Sequence, residues 1–393
     1  MREAVIVSSV RTPGARAKRG SLKDTRVEVF GATALLGALE RAPQVKPEMI
    51  NDVVLGCSFP EAEQGLNLGR VLAKYCGLPD KVPGFVLNRF CSSGLQAIAV
   101  AAQNIMVGWS DIVLAGGVES MSRVPMGGFI NRPEPTWTDE YPDVYVSMGI
   151  TAENVAKRYE ISRKEQDELG VTSNDRAANA QDKGWFKDEI APVKNAVKYV
   201  EKGGGYEKKL FTFDADDGVR RGTTLEGLAK LKPAFAKGGT VTAGNSSQMT
   251  DGAAASVLMS ADKAKELGIK PLAKFHNFQV VGVRPDEMGV GPRWAIPKLL
   301  EKSGKKVSDI DLFEINEAFA SQAIYSVREL GISWDKVNVC GGAIALGHPL
   351  GCTGAKLTAT LIHQLRRTGG KWGVVSMCIG GGMGAAGLIE ILE

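Results

Sequence analysis

Asn88-Arg89-Phe90-Cys91-Ser92-Ser93-Gly94 runs directly into Leu95-Gln96-Ala97-Ile98-Ala99-Val100-Ala101-Ala102-Gln103-Asn104-Ile105. The second part is rich in Ala and places Leu95, Ile98, Ala102 and Ile105 at three- and four-residue spacing, which predicts a helix stopped by Gly108. Just before it, Gly84-Phe85-Val86-Leu87 is a short apolar run that reads as a buried strand. Cys91 therefore sits where a strand turns into a helix. The free N–H groups and the positive end of the helix dipole favour a thiolate there, so the place suits a nucleophile. The plainer alternative is a small buried hydrophobe, as most cysteines are. What separates the two lies at the other end of the chain.

The chain has 393 residues, enough for two to three domains and a large core. Its 48 basic and 44 acidic residues give a net charge of +4, too balanced for a nucleic-acid protein. The 47 glycines cluster beside apolar segments rather than in linkers, which points to close backbone approaches and sharp turns. Six cysteines (Cys57, Cys76, Cys91, Cys340, Cys352, Cys378) are far apart, and three histidines (His276, His348, His363) make no metal-binding spacing. Neither a disulfide framework nor a metal is expected, and free thiols suit a reducing, cytoplasmic compartment. Ala4-Val5-Ile6-Val7 is already strand-like, leaving no room for a signal or transit peptide. No apolar run approaches a membrane span. Ile391-Leu392-Glu393 matches no C-terminal address.

In order, the sequence predicts a strand at Ala4–Val7, a turn at Arg11-Thr12-Pro13-Gly14, a helix over Val27–Arg41 and a strand at Val53–Gly56. A helix over Leu66–Tyr75, the Cys91 unit and a strand at Asp111–Gly117 follow. Strands alternating with helices point to a largely parallel, helix-covered sheet. From Glu119 to Gln248 the sequence is more polar and irregular, with Pro133, Pro135 and Trp137 and with helices expected over Thr151–Arg158 and Lys164–Gln181. This reads as an insertion between core elements, and long loops with structure of their own are usually functional. The apolar pattern resumes at about Asp251.

The last third resembles the first at a shift of 260 residues. Val53–Gly56 falls on Phe313–Asn316, Ser93-Gly94 on Thr353-Gly354, and Asp111–Leu114 on Lys371–Val374. A duplicated α/β unit is expected from this self-similarity. The counterpart of the nucleophile turn is Gly341-Gly342-Ala343-Ile344-Ala345-Leu346-Gly347-His348-Pro349, and His348 pairs with Asn88. A pseudo-twofold pair of domains then brings His348 and Cys91 to one cleft, where a neutral histidine can take the thiol proton. A lone histidine is more often a hydrogen-bonded structural residue, but the flanking glycines and Pro349 indicate a held, irregular backbone. Cys378-Ile379-Gly380-Gly381-Gly382 offers a second thiol and backbone N–H groups free to approach a ligand, or else only a strand exit. Asn316, in Asn316-Glu317-Ala318-Phe319-Ala320, ends a strand-like run, where polar side chains often face a cleft.

Together these blocks resemble the thiolase family: the Cys91 turn, Asn316-Glu317-Ala318-Phe319, Gly347-His348-Pro349 and Cys378-x-Gly380-Gly381. Ala115-Gly116-Gly117-Val118-Glu119-Ser120-Met121-Ser122 is similar to a further family segment, and the likeness runs from Val5 to the C-terminus. The resemblance implies a duplicated core of five α/β/α/β/α layers with an inserted loop domain. The divisions expected are 1–118 and 251–268 for the first core domain, 119–250 for the insertion and 269–393 for the second core domain.

It also implies CoA-dependent cleavage of a 3-oxoacyl-CoA to acetyl-CoA and a shortened acyl-CoA, or the reverse Claisen condensation. By resemblance Cys91 is acylated, His348 activates it, and Cys378 is the acid/base. Asn316 with His348 serves the enolate, and the N–H groups of Cys91 and Gly380 form a second oxyanion site. Ser247 matches a pantetheine contact, Arg220 is the candidate for the nucleotide end, with Arg221 and Lys232 nearby, and Met148, Met288, Ala318 and Phe319 are expected to line the substrate site. CoA and acyl-CoA are substrates, and no permanently bound cofactor is implied. A homodimer or homotetramer is expected, with a fatty-acid oxidation complex as a further partner.

Ser147-Met148-Gly149 departs from the His-Met-Gly of acetoacetyl-CoA-specific members, which favours the degradative branch over the short-chain biosynthetic one. Cys378 argues against a decarboxylating ketoacyl synthase. The presence of Cys91, His348 and Cys378 together argues against a non-catalytic acyl-CoA-binding relative.

Overall fold

In the computed structural model, which describes residues 1–202 and 205–392, the first part of the core is β1 (Ala4–Arg11), β2 (Ala15–Arg16), α1 (Val27–Glu40), β3 (Asp52–Gly56), α2 (Leu68–Tyr75), β4 (Gly84–Leu87), α3 (Ser93–Met106) and β5 (Ile112–Ser120). Between β5 and the next core strand come α4 (Pro135–Glu140), α5 (Met148–Arg158), α6 (Arg163–Asp182), β6 (Val193–Lys202), β7 (Gly205–Phe213) and α7 (Leu225–Ala229). The core resumes with β8 (Thr250–Ser260), α8 (Ala261–Glu266), β9 (Ala273–Gly282), α9 (Gly291–Lys302) and β10 (Leu312–Ile315). It closes with α10 (Ala320–Glu329), α11 (Ala343–Leu346), α12 (Leu350–Thr368), β11 (Trp372–Ile379) and β12 (Met383–Ile391). Glu393, the last residue considered for a C-terminal address, lies outside the described residues.

The strands hydrogen-bond in the order β10-β11-β12-β9-β1-β8-β5-β3-β4, with β2 on β8. This path has two halves of like topology. In one, β8 is antiparallel to β1 and β5, and β3 is parallel to β5. In the other, β12 is antiparallel to β9 and β11, and β10 is parallel to β11. The seam between them is short: β1 meets β9 only at Val5 with Lys274 and Ile6 with Ala273. The repeat seen in sequence is thus architectural, with Ile112 of β5 and Trp372 of β11 in the same place of each half. The sheets are mixed, which corrects the expectation of a largely parallel sheet. The apolar pattern fixes what is buried but not strand direction. β8 returns after the insertion, and β12 after a tight glycine turn, and both re-enter antiparallel.

Three apolar layers lie between these sheets and the helices. Phe30 and Leu35 of α1 and Leu72 of α2 pack on Val53, Leu55 and Val257. On the opposite face, Val54 and Val113 meet α3 and α12 through Leu95, Ile98, Leu357 and Leu361, and Val375 and Ile389 of the second half join the same cluster. α9 covers the far side through Ile296 and Leu299 against Phe313, Val374 and Leu388. The result is helix, sheet, helix, sheet, helix. Strands covered on both faces explain the unbroken apolar runs in the sequence. At the centre α3 and α12 touch backbone to backbone. A Cβ on Gly94 would lie 2.7 Å from the Ala355 amide nitrogen, and one on Gly354 would lie 2.3 Å from that of Leu95. This approach sets the N-termini of the two helices, and with them Cys91 and His348, side by side.

Candidate active site

Cys91 lies in a single 3-10 turn, Phe90–Ser92, between β4 and α3. Phe90 has φ +42°, a left-handed backbone that a bulky residue adopts only when its surroundings enforce it. The enforcement is visible: the Phe90 N–H donates to Asn88 Oδ1, Asn88 Nδ2 donates to the Ser58 carbonyl, and the Ser93 hydroxyl donates to the Phe90 carbonyl. The turn therefore presents Cys91 at the start of α3 with little freedom.

The thiol is buried, with 7% of the residue exposed. Burial pushes its pKa up to about 11, while hydrogen bonds from the Gly380 and Cys91 N–H groups pull the other way. This corrects the expectation that the free N–H groups and the helix dipole favour a thiolate: desolvation is the larger influence on the buried thiol. The same observation brings Gly380 to Cys91, so the two N–H groups assigned to one oxyanion site converge on one sulfur.

His348 is held from every side. Its N–H donates to the Gln248 carbonyl and Thr250 Oγ1. Gly347, at φ +81°, makes the turn before it, and a Cβ there would sit 2.1 Å from Thr250 Oγ1. The ring lies with Nδ1 2.6 Å from Thr353 Oγ1 and Nε2 3.3 Å from Asn316 Nδ2. An amide NH2 can only donate, so Nε2 accepts and Nδ1 carries the proton that Thr353 accepts. Burial lowers the imidazole pKa to about 3, with Lys356 adding to the shift. The ring is neutral, with Nε2 unprotonated and able to accept. Among the described residues the ring hydrogen-bonds Asn316 and Thr353 rather than the Cys91 thiol, and such contacts commonly tighten only when substrate is present.

Cys378 is the penultimate residue of β11 and is 2% exposed. Burial raises its pKa strongly, and the Cys91 thiol adds to the shift, so the two sulfurs influence each other. Around Cys378 the structure gathers Met148, Met288, Ala318 and Phe319, all four proposed from the sequence, together with Ala152 and Val241, which were not. Gly380 borders the same space, since a Cβ there would come within 3.5 Å of Met148 Sδ. Ser247 is tied to this group, its N–H donating to the Ala318 carbonyl at 3.0 Å.

Arg220 is half-buried, and its Nη1 donates to the Ala243 carbonyl. Burial lowers its pKa, and nearby Arg16 lowers it further. Two guanidinium groups stand together, and neither pairs with a carboxylate side chain among the described residues, an arrangement that invites an anion. Arg221, its sequence neighbour, is instead paired with Asp182.

Residues the sequence did not single out hold these pieces. The Glu119 carboxylate accepts from the N–H groups of Ser58 and Gly351 and from Gln64 Nε2, fastening the approaches to Cys91 and α12 together. Glu317 accepts from the Ser173 hydroxyl, Asn338 Nδ2 and the Ile344 N–H, fixing the segment that leads to His348. Thr353 had appeared only as the partner of Ser93 in the repeat. Glu119 and Glu317 lie inside two of the blocks that carry the family resemblance, and that was their signal in sequence.

No helix among the described residues is long and apolar enough to cross a membrane. No group of three or more His, Cys, Asp or Glu able to hold a metal ion occurs among them.

Residues 4–262 match the family model for the thiolase N-terminal domain, and residues 269–391 that for the thiolase C-terminal domain. The chain belongs to the thiolase family. It is 54% identical over 391 residues to a 3-ketoacyl-CoA thiolase of Bacillus subtilis (strain 168), with both chains fully covered. It is 47% identical over 390 residues to the peroxisomal 3-ketoacyl-CoA thiolase of Homo sapiens, covering 99% of this chain and 91% of the human one. A crystal structure of the Bacillus anthracis acetyl-CoA acetyltransferase superposes with a TM-score of 0.88 at 41% identity, covering 100% of this chain and 99% of that one. The duplicated thiolase fold and an acyltransferase activity follow from these relations.

Proposed function

We propose that this thiolase cleaves 3-oxoacyl-CoA with CoA, releasing acetyl-CoA and an acyl-CoA two carbons shorter, in the direction of fatty-acid degradation. The observation that carries the reading is the meeting of two buried thiols, Cys91 and Cys378, beside a neutral His348 backed by Asn316. In the first half-reaction His348 Nε2 takes the Cys91 proton and the sulfur attacks C3 of the substrate. The carbonyl oxygen is received by the N–H groups of Cys91 and Gly380. The C2–C3 bond then breaks, its electron pair passes to C2, and Cys378 donates a proton there to give acetyl-CoA. The developing enolate oxygen is stabilised at His348 and Asn316, whose Oδ1 is buried without a partner among the described residues and is suited to hold a water. In the second half-reaction the Cys378 thiolate takes the proton of the incoming CoA thiol. The CoA sulfur attacks the acyl group on Cys91, and Cys91 leaves as a thiolate that recovers its proton from His348, which restores the starting state. Every step is reversible.

The substrate arm is assigned to Ser247, Met148, Met288, Ala318 and Phe319, and the nucleotide end to Arg220 on the inserted segment, read as residues 119–250 between the core parts 1–118 and 251–268 and ahead of 269–393. Homo-oligomeric assembly belongs to the same reading and is supported by the exposed Met126, Phe129, Ile130, Trp137 and Tyr145 on that segment. So does a cytoplasmic place, in which six free thiols stay reduced. The short-chain alternative, favoured only by the acetyl-CoA acetyltransferase likeness, differs at Ser147. Rates of CoA-dependent loss of acetoacetyl-CoA and 3-oxooctanoyl-CoA test the choice. Cleavage of both supports the degradative reading, and cleavage of acetoacetyl-CoA alone overturns it in favour of the short-chain enzyme.

A further inference from the structure

Gln322 stands in the first turn of α10 and is 2% exposed. Its Oε1 accepts from the Cys378 thiol at 3.4 Å. Its Nε2 is buried and has no hydrogen-bond partner among the described residues. A buried amide NH2 left unpaired is costly, and native structures rarely tolerate it without a purpose. The space for the amide is made by Gly289, where a Cβ would lie 2.1 Å from Gln322 Cγ and Cδ.

We propose that Gln322 is the positioning residue for Cys378, its carboxamide accepting from the thiol and, turned over about its terminal bond, donating to the thiolate. This rests on the role of Cys378 as acid/base in the reaction above. In that role Cys378 gives its proton to C2 of the leaving acetyl-CoA and recovers one from the incoming CoA thiol. It is therefore a thiol for half of each cycle and a thiolate for the other half. In the observed orientation Oε1 suits the thiol, but its lone pairs would face the thiolate. Turning the amide brings Nε2 to the sulfur instead. The turn breaks no other hydrogen bond, because Nε2 has none to lose. A carboxamide offers an acceptor and a donor from the same place with a half-turn.

The apolar residues gathered on Cys378 are Met148, Ala152, Val241, Met288, Ala318 and Phe319, and in the reaction above His348 and Asn316 share the site. The titratable group that acts on it is Cys91. Asp286 and Glu287, on the turn that carries Met288, are engaged by Arg158, and Asp286 also by Arg284. Arg328 and Glu329 stand at the other end of α10, paired with Glu165 and Arg293.

The test is the rate of alkylation of Cys378 by iodoacetamide in the full-length protein between about pH 7 and 9.5, where the rate follows the thiolate fraction. Tryptic cleavage after Lys371 leaves Cys378 as the one cysteine of its peptide, so it is read separately from Cys91. Gln322→Met keeps the volume and removes both hydrogen bonds. Loss of a donor to a buried thiolate should slow labelling by roughly 10- to 100-fold. The same variant should lower kcat by a similar factor and leave the KM for CoA nearly unchanged, while Gln322→Glu, which as a carboxylate accepts but cannot donate, should be slower still at the alkaline end of the range. If Gln322→Met does not fold, Gly289→Ala, which displaces the amide without altering it, should slow labelling in the same direction. A merely structural Gln322 gives the opposite sign, since a loosened site labels faster. Labelling that is unchanged or faster in the variant read overturns the proposal. A wild type that cleaves no 3-oxoacyl-CoA would overturn the reaction assignment instead, and the labelling rates would still report on the Gln322–Cys378 pair.

Discussion

Replacing Thr353 by Val should disable the histidine while leaving the fold intact. The two side chains have nearly the same shape, and Thr353 is wholly buried in α12, so the change removes one hydroxyl and little else. That hydroxyl accepts from His348 Nδ1 at 2.6 Å. Without it, an Nδ1–H is left unpaired in a site with no water-facing surface, at a cost of about 1–3 kcal/mol. The ring escapes the cost by moving its proton to Nε2, but Nε2 is then no longer a base. Either way the reactive tautomer is disfavoured, and kcat should fall roughly 5- to 150-fold. The KM for acyl-CoA should stay within about a factor of two, since Thr353 lies behind the ring. Thr353→Ser restores the acceptor and should recover most of the loss. Steady-state thiolysis gives the rates. With only three histidines in the chain, 15N NMR of the imidazole nitrogens reports the tautomer directly. A folded Thr353→Val enzyme with kcat within about twofold of wild type, still protonated at Nδ1, would refute the reasoning.

Gly347→Ala puts a Cβ on a residue at φ +81°, 2.1 Å from Thr250 Oγ1, and should cost about 2–4 kcal/mol of stability, read from a denaturant midpoint, with activity lost as His348 moves. Arg220→Ala should raise the KM for CoA about 3- to 10-fold with kcat little changed, and the difference should vanish with pantetheine, which lacks the anionic nucleotide. The His348 pKa is lowered from 6.5 to about 3 on folding, so between these values the unfolded chain binds more protons. Stability contributed by the neutral ring is present above about pH 6.5 and is lost as pH falls towards 3; the loss reaches about 2 kcal/mol at pH 5. Thermal melts should show His348→Asn losing less stability than wild type between pH 8 and 5, and equal losses would remove His348 as the cause.

The reacting groups were legible because chemistry constrains them locally. A cysteine at a strand-to-helix turn, a histidine among glycines and a second cysteine before a glycine run each carry a signal in a few adjacent residues. The helices over Val27–Glu40 and Arg163–Asp182 were readable from length and pattern within a residue or so. The β6–β7 hairpin was not, since its strands are largely exposed and lack the alternation of a half-buried sheet. Strand direction was misjudged because it depends on where the chain re-enters after Ser120 and Gly382, which no short pattern records. The protonated Cys91 thiol was not legible, because burial is set by the whole fold and here it outweighs the helix terminus. Gln322, Thr353 and Glu119 are ordinary polar residues in sequence. Only the packing of α10, α12 and β5 shows what they face.

The acyl-enzyme on Cys91 is the point on which the mechanism stands. Rapid mixing of the protein with 3-oxooctanoyl-CoA in the absence of CoA, followed by acid quench and peptide mass spectrometry, measures it directly. One hexanoyl group on the Cys91 peptide, removed when CoA is added and missing in Cys91→Ala, is the result expected. An acyl group carried on Cys378 instead, or turnover with no covalent adduct on Cys91, would contradict it.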